Sequence, residues 1–153
     1  MGHRYEAEIA WTRDGAAFLD NRYSRAHTWR FDGGVTLRGS SSPAVVPAPM
    51  SDPSAVDPEE ALVAAASSCH MLWFLSLAAK RGHVVERYVD RAYGVMGKGA
   101  DGKIAFTKIA LRPDIAFAGA APDAAALAAL HDEAHASCFI ASSLKAPVVV
   151  ESP

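Results

Sequence analysis

The sequence predicts an α+β fold in which antiparallel strands surround two helices. Strand-like segments with alternating or β-branched residues occur both before and after the first of two Ala-rich apolar segments that have helical spacing. The strands and helices do not alternate strictly, as they would in a parallel α/β sheet. We predict a single domain over residues 1–153, because no linker or repeat divides the chain and this length suffices for a core without disulfides.

The N-terminal part of the chain is predicted to form antiparallel strands. Residues 4–11, 26–31 and 35–38 alternate or carry β-branched and aromatic side chains, and Asp32-Gly33-Gly34 is typical of a tight turn. Residues 39–58 are rich in Ser, Pro and Asp without periodicity, which predicts a loop. Long loops in compact domains are often functional, so this loop is expected to line a site.

The apolar segment at residues 61–79 is predicted to lie in the first helix, which starts after a cap at Asp57. Asp57 and Glu60 have the spacing of a capping box, Pro58 suits a first turn, and Gly82 favours an end after Lys80. The segment is long enough to span a membrane, but its serines and its Ala content favour a buried helix instead. We therefore expect no membrane contact.

The second half of the chain is predicted to contain two long strands, a second helix and a last strand. Residues 84–96 and 104–117 have strand-like patterns, and the glycine-rich residues 97–102 predict the hairpin between them. Residues 122–136 predict the second helix, and residues 148–151 predict the final strand.

The composition excludes several functional classes. The chain is 50% hydrophobic and 21% charged with a net charge of -2, which indicates neither disorder nor a nucleic-acid partner. Two cysteines do not form a secreted disulfide framework, and the first residues have no apolar signal core, so a cytoplasmic location is expected. No cofactor is predicted, because the glycine-rich segments lack the strand-to-helix setting of a phosphate-binding loop.

Cys69 is the first candidate for chemistry. Its neighbours one turn away on the predicted helix are Ala65, Ala66, Leu72 and Trp73. The small side chains leave space beside the sulfur and the large ones provide an apolar wall, which predicts a substrate niche. The alternative is that Cys69 is a small hydrophobic residue of the core, as free cysteines commonly are.

Cys138 is the second candidate. It continues the stripe of Leu127, Leu130 and Ala134 at three-and-four spacing, so the second helix is expected to direct this sulfur toward the core. If the two helices pack together, the cysteines approach within the ~7 Å Cα separation that a disulfide requires. A thiolate oxidised to a sulfenic acid needs such a second thiol to trap it before further oxidation. An arginine would favour the thiolate and hold a peroxide oxygen; the candidates are Arg22, Arg25, Arg30 and Arg38.

Three motifs that follow one another along the chain resemble those of the OsmC/Ohr family of thiol-dependent peroxidases. They are Asp57-Pro58-Glu59-Glu60-Ala-Leu, then Ser-Ser-Cys69-His70 after the Ala-rich segment, and Ala134-His135-Ala-Ser-Cys138. The resemblance implies an OsmC-like fold and an intertwined homodimer with active sites at the subunit interface. It also implies reduction of organic hydroperoxides, and of hydrogen peroxide less efficiently, followed by recycling through a dithiol reductant such as a dihydrolipoyl protein.

The resemblance assigns roles by motif. Cys69 corresponds to the peroxidatic cysteine, Cys138 to the resolving cysteine, and Glu59 to the acidic residue that orients an arginine. Arg25 stands near the place of that arginine, with Arg22 as the second choice. Because Glu59 and Cys69 are about 15 Å apart along a straight helix, their cooperation requires a kink, a bridging arginine or a partner subunit.

Two other functions stay open on the sequence. His131, His135 and Cys138 have the spacing of zinc ligands on one helix face, and Cys69 or His70 could complete a set of four, although no metal is our expectation. Histidines near a helix C-terminus are also favoured by the helix dipole alone. The second alternative is a nonenzymatic dimer that binds an apolar ligand or senses the redox state. His70 and Phe139 depart from the family motifs and indicate a side branch.

Overall fold

A computed structural model describes residues 2–151. The described residues form eight strands and three helices. The chain divides into two compact units, residues 1–61 and residues 62–153. The α+β class is confirmed, whereas the single domain stays a prediction.

The first unit is built on a three-stranded antiparallel sheet in the order β1-β2-β3. The strands are β1 (Ala7–Ala10), β2 (His27–Phe31) and β3 (Thr36–Gly39). Trp29 lies between Ile9 and Leu37 in the register. The predicted tight turn is confirmed, since Gly34 adopts a φ of 87° and donates its N–H to the carbonyl of Phe31 at 2.9 Å.

The predicted loop after β3 is held in place by hydrogen bonds. Ser40 donates its N–H to the carbonyl of Val56 at 3.0 Å, and its hydroxyl accepts the N–H of Asp52 at 2.9 Å. The N–H of Arg25 donates to the carbonyl of Met50 at 2.8 Å. Backbone groups of this long loop are therefore paired although it has no regular structure.

The long helix α1 (Pro58–Lys80) begins at the predicted capping box. Asp57 donates its N–H to Glu60 Oε1 at 3.0 Å, and Asp57 Oδ1 accepts the N–H of Glu60 at 2.8 Å. The helix ends where Gly82 adopts a φ of 79°. Both ends thus follow from local residue chemistry.

Within one chain, α1 buries only one face. The buried side chains recur every three or four residues and are Ala66, His70, Phe74, Leu77 and Ala78. On another face Leu72 is 61% exposed, so the prediction of a buried helix applies to one face of the single chain. By length and apolar composition α1 could also cross a membrane, a criterion that core helices of soluble proteins meet as well.

The two long strands predicted for the second unit are each divided, so that part of the prediction is wrong. The four observed strands are β4 (Val84–Asp90), β5 (Tyr93–Lys98), β6 (Ile104–Leu111) and β7 (Pro113–Ala118). β4 pairs with β7 and β5 pairs with β6, both antiparallel, in separate sheets. The predicted hairpin at residues 97–102 is confirmed, with the N–H of Gly99 donating to the carbonyl of Lys103 at 2.8 Å.

The break between the two sheets is held by the side chain of Asp90. Its carboxylate accepts the N–H of Arg112 at 2.6 Å and the hydroxyl of Ser67 at 2.5 Å. Pro113, which has no N–H to donate to a ladder, begins the next strand. The chain therefore passes from one sheet to the other between β4 and β5, and passes back between β6 and β7 at a neighbouring position.

The remaining elements close the second unit. α2 (Ala124–Ser137) follows the N-cap Asp123, and a short α3 (Phe139–Ser143), which the sequence did not predict, follows it after Cys138. β8 (Val148–Val150) pairs parallel with β6, so the sheet is not purely antiparallel as expected. One core cluster joins Phe74, Leu77, Ala78, Leu130 and Ala134, and a second joins Ala66, Ile109, Leu111 and Val148.

Candidate active site

Cys138 occupies the junction between α2 and α3. It is 1% exposed and lies one residue beyond the end of α2, with φ −72° and ψ 111°. Its N–H donates to the carbonyl of His135 at 3.1 Å, and its Sγ accepts the N–H of Ala141 at 3.4 Å. The sulfur thus caps α3 and is fixed in position by both helices.

The structure brings Cys69 next to Cys138. Both cysteines are free, and the Cys69 side chain is within hydrogen-bonding reach of the Cys138 thiol. Burial raises the pKa of the Cys138 thiol, and the hydrogen bond with Cys69 raises it further. The raised pKa favours the protonated form of Cys138, and Cys69 is the less buried of the two cysteines.

The four residues predicted to form a niche around Cys69 lie in different environments. Ala66 belongs to a buried core cluster, while Ala65 and Leu72 are exposed. Trp73 is half-buried and meets the ring of Phe139 edge-on at 5.7 Å between centroids. The surroundings of Cys69 are therefore only partly covered in the single chain, and the substrate niche stays a prediction.

The buried His70 pairs with the half-buried His131 in the same unit. His70 is 1% exposed, and its Nε2 is 3.0 Å from Nδ1 of His131. Burial, followed by the charges of His131 and His135, lowers the pKa of His70 to about 4, and burial also lowers the pKa of His131. The ring of Phe74 stacks on His131 at 4.6 Å, so the pair is held neutral in an apolar setting.

The sequence singled out both His70 and His131 as candidate metal ligands but did not predict that the two rings pair with each other. His70 stands four residues after Ala66 and four before Phe74, on the buried face of α1. Among residues 2–151, no group of three or more His, Cys, Asp or Glu side chains is placed to hold a metal ion.

The predicted arginine and its predicted acidic partner are both in the first unit, but they do not meet. Arg25 donates through Nη1 to the carbonyls of Asn21, at 3.0 Å, and Tyr23, and through Nη2 to Asn21 Oδ1 at 2.7 Å. Glu59 Oε2 is buried without a hydrogen-bond partner among residues 2–151. The expected orientation of Arg25 by Glu59 is therefore not made in the single chain. Arg22, the second choice, is exposed.

Arg25 lines a groove that the sequence did not predict. The groove has a volume of about 400 Å³ and lies wholly within the first unit. Its lining residues combine aromatic, aliphatic and polar side chains: Ile9, Trp11, Phe18, Tyr23, Arg25, His27, Ser40, Ser41 and Pro58. We refer to it as the Arg25 groove.

The family model described as OsmC-like protein matches residues 51–152. The chain belongs to the OsmC-like family. A solved OsmC-like protein of unknown function from Vibrio cholerae is 51% identical, covers 99% of this chain and 100% of its own, and superposes with a TM-score of 0.96. No curated protein matches the OsmC-like chain.

More distant OsmC-like structures share the fold. The OsmC-like protein from Mycoplasma pneumoniae is 13% identical with a TM-score of 0.74, covering 100% of this chain and 98% of its own. The organic hydroperoxide resistance protein OhrB of Bacillus subtilis is 15% identical with a TM-score of 0.70, covering 99% and 98%. The predicted OsmC-like fold is confirmed.

Proposed function

We propose that this OsmC-like chain is a thiol-dependent peroxidase that reduces organic hydroperoxides. The observation that carries the proposal is the contact between the half-buried Cys69 and the buried Cys138. In this proposal one of the two cysteines reacts with the hydroperoxide and the other resolves the intermediate. Resemblance to proteins named for organic hydroperoxide resistance supports the same activity.

Cys69 is the peroxidatic residue in this proposal. Its thiolate attacks the terminal oxygen of a hydroperoxide, so the S–O bond forms and the O–O bond breaks. The leaving alkoxide takes a proton and departs as the alcohol. The sulfur of Cys69 is oxidised by two electrons to a sulfenic acid.

Cys138 resolves this intermediate. Its sulfur attacks that of Cys69, the S–S bond forms, the S–O bond breaks, and the hydroxyl leaves as water with the Cys138 proton. A dithiol reductant, such as a dihydrolipoyl protein, then supplies two electrons and two protons and regenerates both thiols.

Arg25 and Glu59 are the assigned supporting residues. Arg25 carries a fixed charge that would stabilise the developing alkoxide. The buried Oε2 of Glu59 has no hydrogen-bond partner among residues 2–151, so it has a free acceptor for a guanidinium. Three of the five N–H donors of Arg25 are used by Asn21 and Tyr23, so two are available for such a carboxylate.

A homodimer is part of the proposal. Leu72 on α1 and Phe139 on α3 are 61% and 70% exposed in one chain. Both flank the segments that carry the cysteines, and covering large apolar side chains favours association. A second copy would thereby enclose the surroundings of Cys69.

Reaction of the fully reduced protein with cumene hydroperoxide tests the activity. We expect rapid loss of two thiols per chain and a Cys69 to Cys138 disulfide, detected by mass spectrometry. Cys69→Ser should not react, whereas Cys138→Ser should stop at a sulfenic acid that dimedone traps. If both thiols of the unmodified protein stay reduced, the peroxidase assignment is wrong and the nonenzymatic alternative gains support.

A further inference from the structure

We propose that the hydrogen bond between His70 and His131 positions the two cysteines, because it fixes the helices that carry them. His70 and His131 are positioning residues in this proposal, since neither touches a substrate. The proposal rests on the proposed peroxidase only in that the sulfur contact it maintains is the one used to resolve the sulfenic acid.

The two histidines lie on the same helices as the two thiols. His70 follows Cys69 directly on α1, and His131 precedes Cys138, the residue that ends α2, by seven positions. Seven residues are two helical turns, so His131 and Cys138 lie on one face of α2, about 10 Å apart along its axis. This part of α1 therefore meets α2 at two points, one formed by the rings and one by the sulfurs.

The hydrogen bond between the rings specifies the relative placement of α1 and α2. Nε2 of His70 is 3.0 Å from Nδ1 of His131, and the ring planes are within 13° of parallel. A hydrogen bond weakens steeply when its distance or angle changes. The burial of the apolar side chains in the surrounding core cluster is non-directional and tolerates small shifts. A small slide of one helix along the other would therefore break the ring contact first.

The ring of His70 depends on this one contact. His70 is 1% exposed, and its Nδ1 is buried without a hydrogen-bond partner among residues 2–151. Losing the bond to His131 would leave both ring nitrogens unpaired in the core, which is costly. Phe74 lies one turn further along α1 and stacks on the ring of His131 at 4.6 Å, so the partner ring is held in place as well.

The arrangement is complete within one chain. All four residues belong to the second unit, and His70 and Cys138 are each 1% exposed there. His70 lies on the buried face of α1, whereas a second copy would cover the exposed face. The proposal therefore applies to a monomer and to a homodimer alike.

The reduction potential of the Cys69–Cys138 disulfide tests the proposal. The protein is equilibrated with mixtures of reduced and oxidised glutathione, and mass spectrometry after alkylation of the free thiols gives the disulfide fraction. No hydroperoxide is used, so failure of peroxide reduction is separate from failure of the proposal. A loss of stability that the dithiol and disulfide forms share leaves this potential unchanged, so the potential reports the placement of the sulfurs.

A matched pair of substitutions at position 70 separates hydrogen bonding from packing. His70→Gln places an amide near the position of Nε2, where it can still bond Nδ1 of His131, and should keep the disulfide equilibrium constant within about twofold. His70→Asn is too short to reach His131 and should lower the constant about fivefold or more, which makes the potential less negative by about 20 mV. A constant for His70→Asn that is not below that for His70→Gln would overturn the proposal, as would an unmodified protein that forms no disulfide.

If His70→Asn does not fold, as judged by circular dichroism, the double variant His70→Leu with His131→Leu decides. It leaves no ring nitrogen unpaired, and replacing both partners of a buried hydrogen bond by apolar groups is close to neutral for stability. Its equilibrium constant should also fall about fivefold or more. A constant equal to that of the unmodified protein overturns the proposal.

Discussion

At the scale of single residues, the two cysteines differ in burial and in hydrogen bonding. Cys138 is buried, its pKa is raised by burial and then by Cys69, and its sulfur caps a helix. Cys69 is only half-buried. This asymmetry supports Cys69 as the attacking sulfur and Cys138 as the proton-holding one, because the thiolate is the nucleophilic form.

Alkylation rates would reveal this asymmetry. Iodoacetamide at pH 7 should modify Cys138 in Cys69→Ser at least about tenfold more slowly than Cys69 in Cys138→Ser, since a raised pKa and burial both lower reactivity. Mass spectrometry over time measures both rates. Equal rates, or faster modification of Cys138, would contradict the assigned order.

The pair of His70 and His131 predicts acid sensitivity. The pKa of His70 is lowered to about 4, first by burial and then by the charges of His131 and His135. The unfolded chain binds this proton near pH 6.5 and the folded chain only near pH 4, so stability is full above pH 6.5 and falls between these values. The expected loss from His70 is about 3 kcal/mol of unfolding free energy at pH 4.

Urea unfolding between pH 7 and pH 4 measures this loss. His70→Gln should have a flatter pH dependence than the unmodified protein, because the glutamine does not titrate. His3→Gln, which changes an exposed histidine, should keep the original slope. A slope of His70→Gln equal to that of the unmodified protein would refute the role of His70.

At the scale of elements, the Asp90 carboxylate links α1 to the strand break in the second unit. It accepts hydrogen bonds from Ser67 and from the N–H of Arg112. Its removal would leave both donors without their partner. The change of sheet between β4 and β5, and between β6 and β7, therefore depends on one side chain.

Asp90→Ala should lower the unfolding free energy by at least about 3 kcal/mol, as expected for two lost hydrogen bonds to a charged group at about 1.5 kcal/mol or more each. Asp114→Ala is the matched control, since it removes an exposed ion pair with Arg87 in the same sheet and should cost less than about 1 kcal/mol. Urea unfolding of both variants at pH 7 gives the comparison. Similar losses in the two variants would show that Asp90 has no special structural role.

At the scale of the whole molecule, the exposed apolar face of α1 predicts association of two chains. Sedimentation equilibrium should give the mass of a dimer. Leu72→Glu should weaken the dimer at least about tenfold, because a carboxylate buried in an apolar interface is costly. Leu19→Glu alters a residue that is 98% exposed in the first unit and should have no effect. If the unmodified protein is a monomer, the proposal that a second copy encloses the surroundings of Cys69 is wrong.

The sequence by itself determined the local features of this protein. The capping box at Asp57 and Glu60, the turn at Gly34 and the first and second helices were predicted because each depends on residues within a few positions of one another. The two cysteine motifs likewise identified the OsmC-like family.

Only the tertiary structure decided which distant groups meet. The contact of Cys69 with Cys138, the pairing of His70 with His131 and the switch of strands at Asp90 join residues far apart in the chain. The Arg25 groove likewise needs several elements, and within one chain Arg25 and Glu59 do not meet. Periodicity fixes the face on which a side chain lies, whereas the partner it meets depends on how the elements pack, and that packing is set by burial summed over the core.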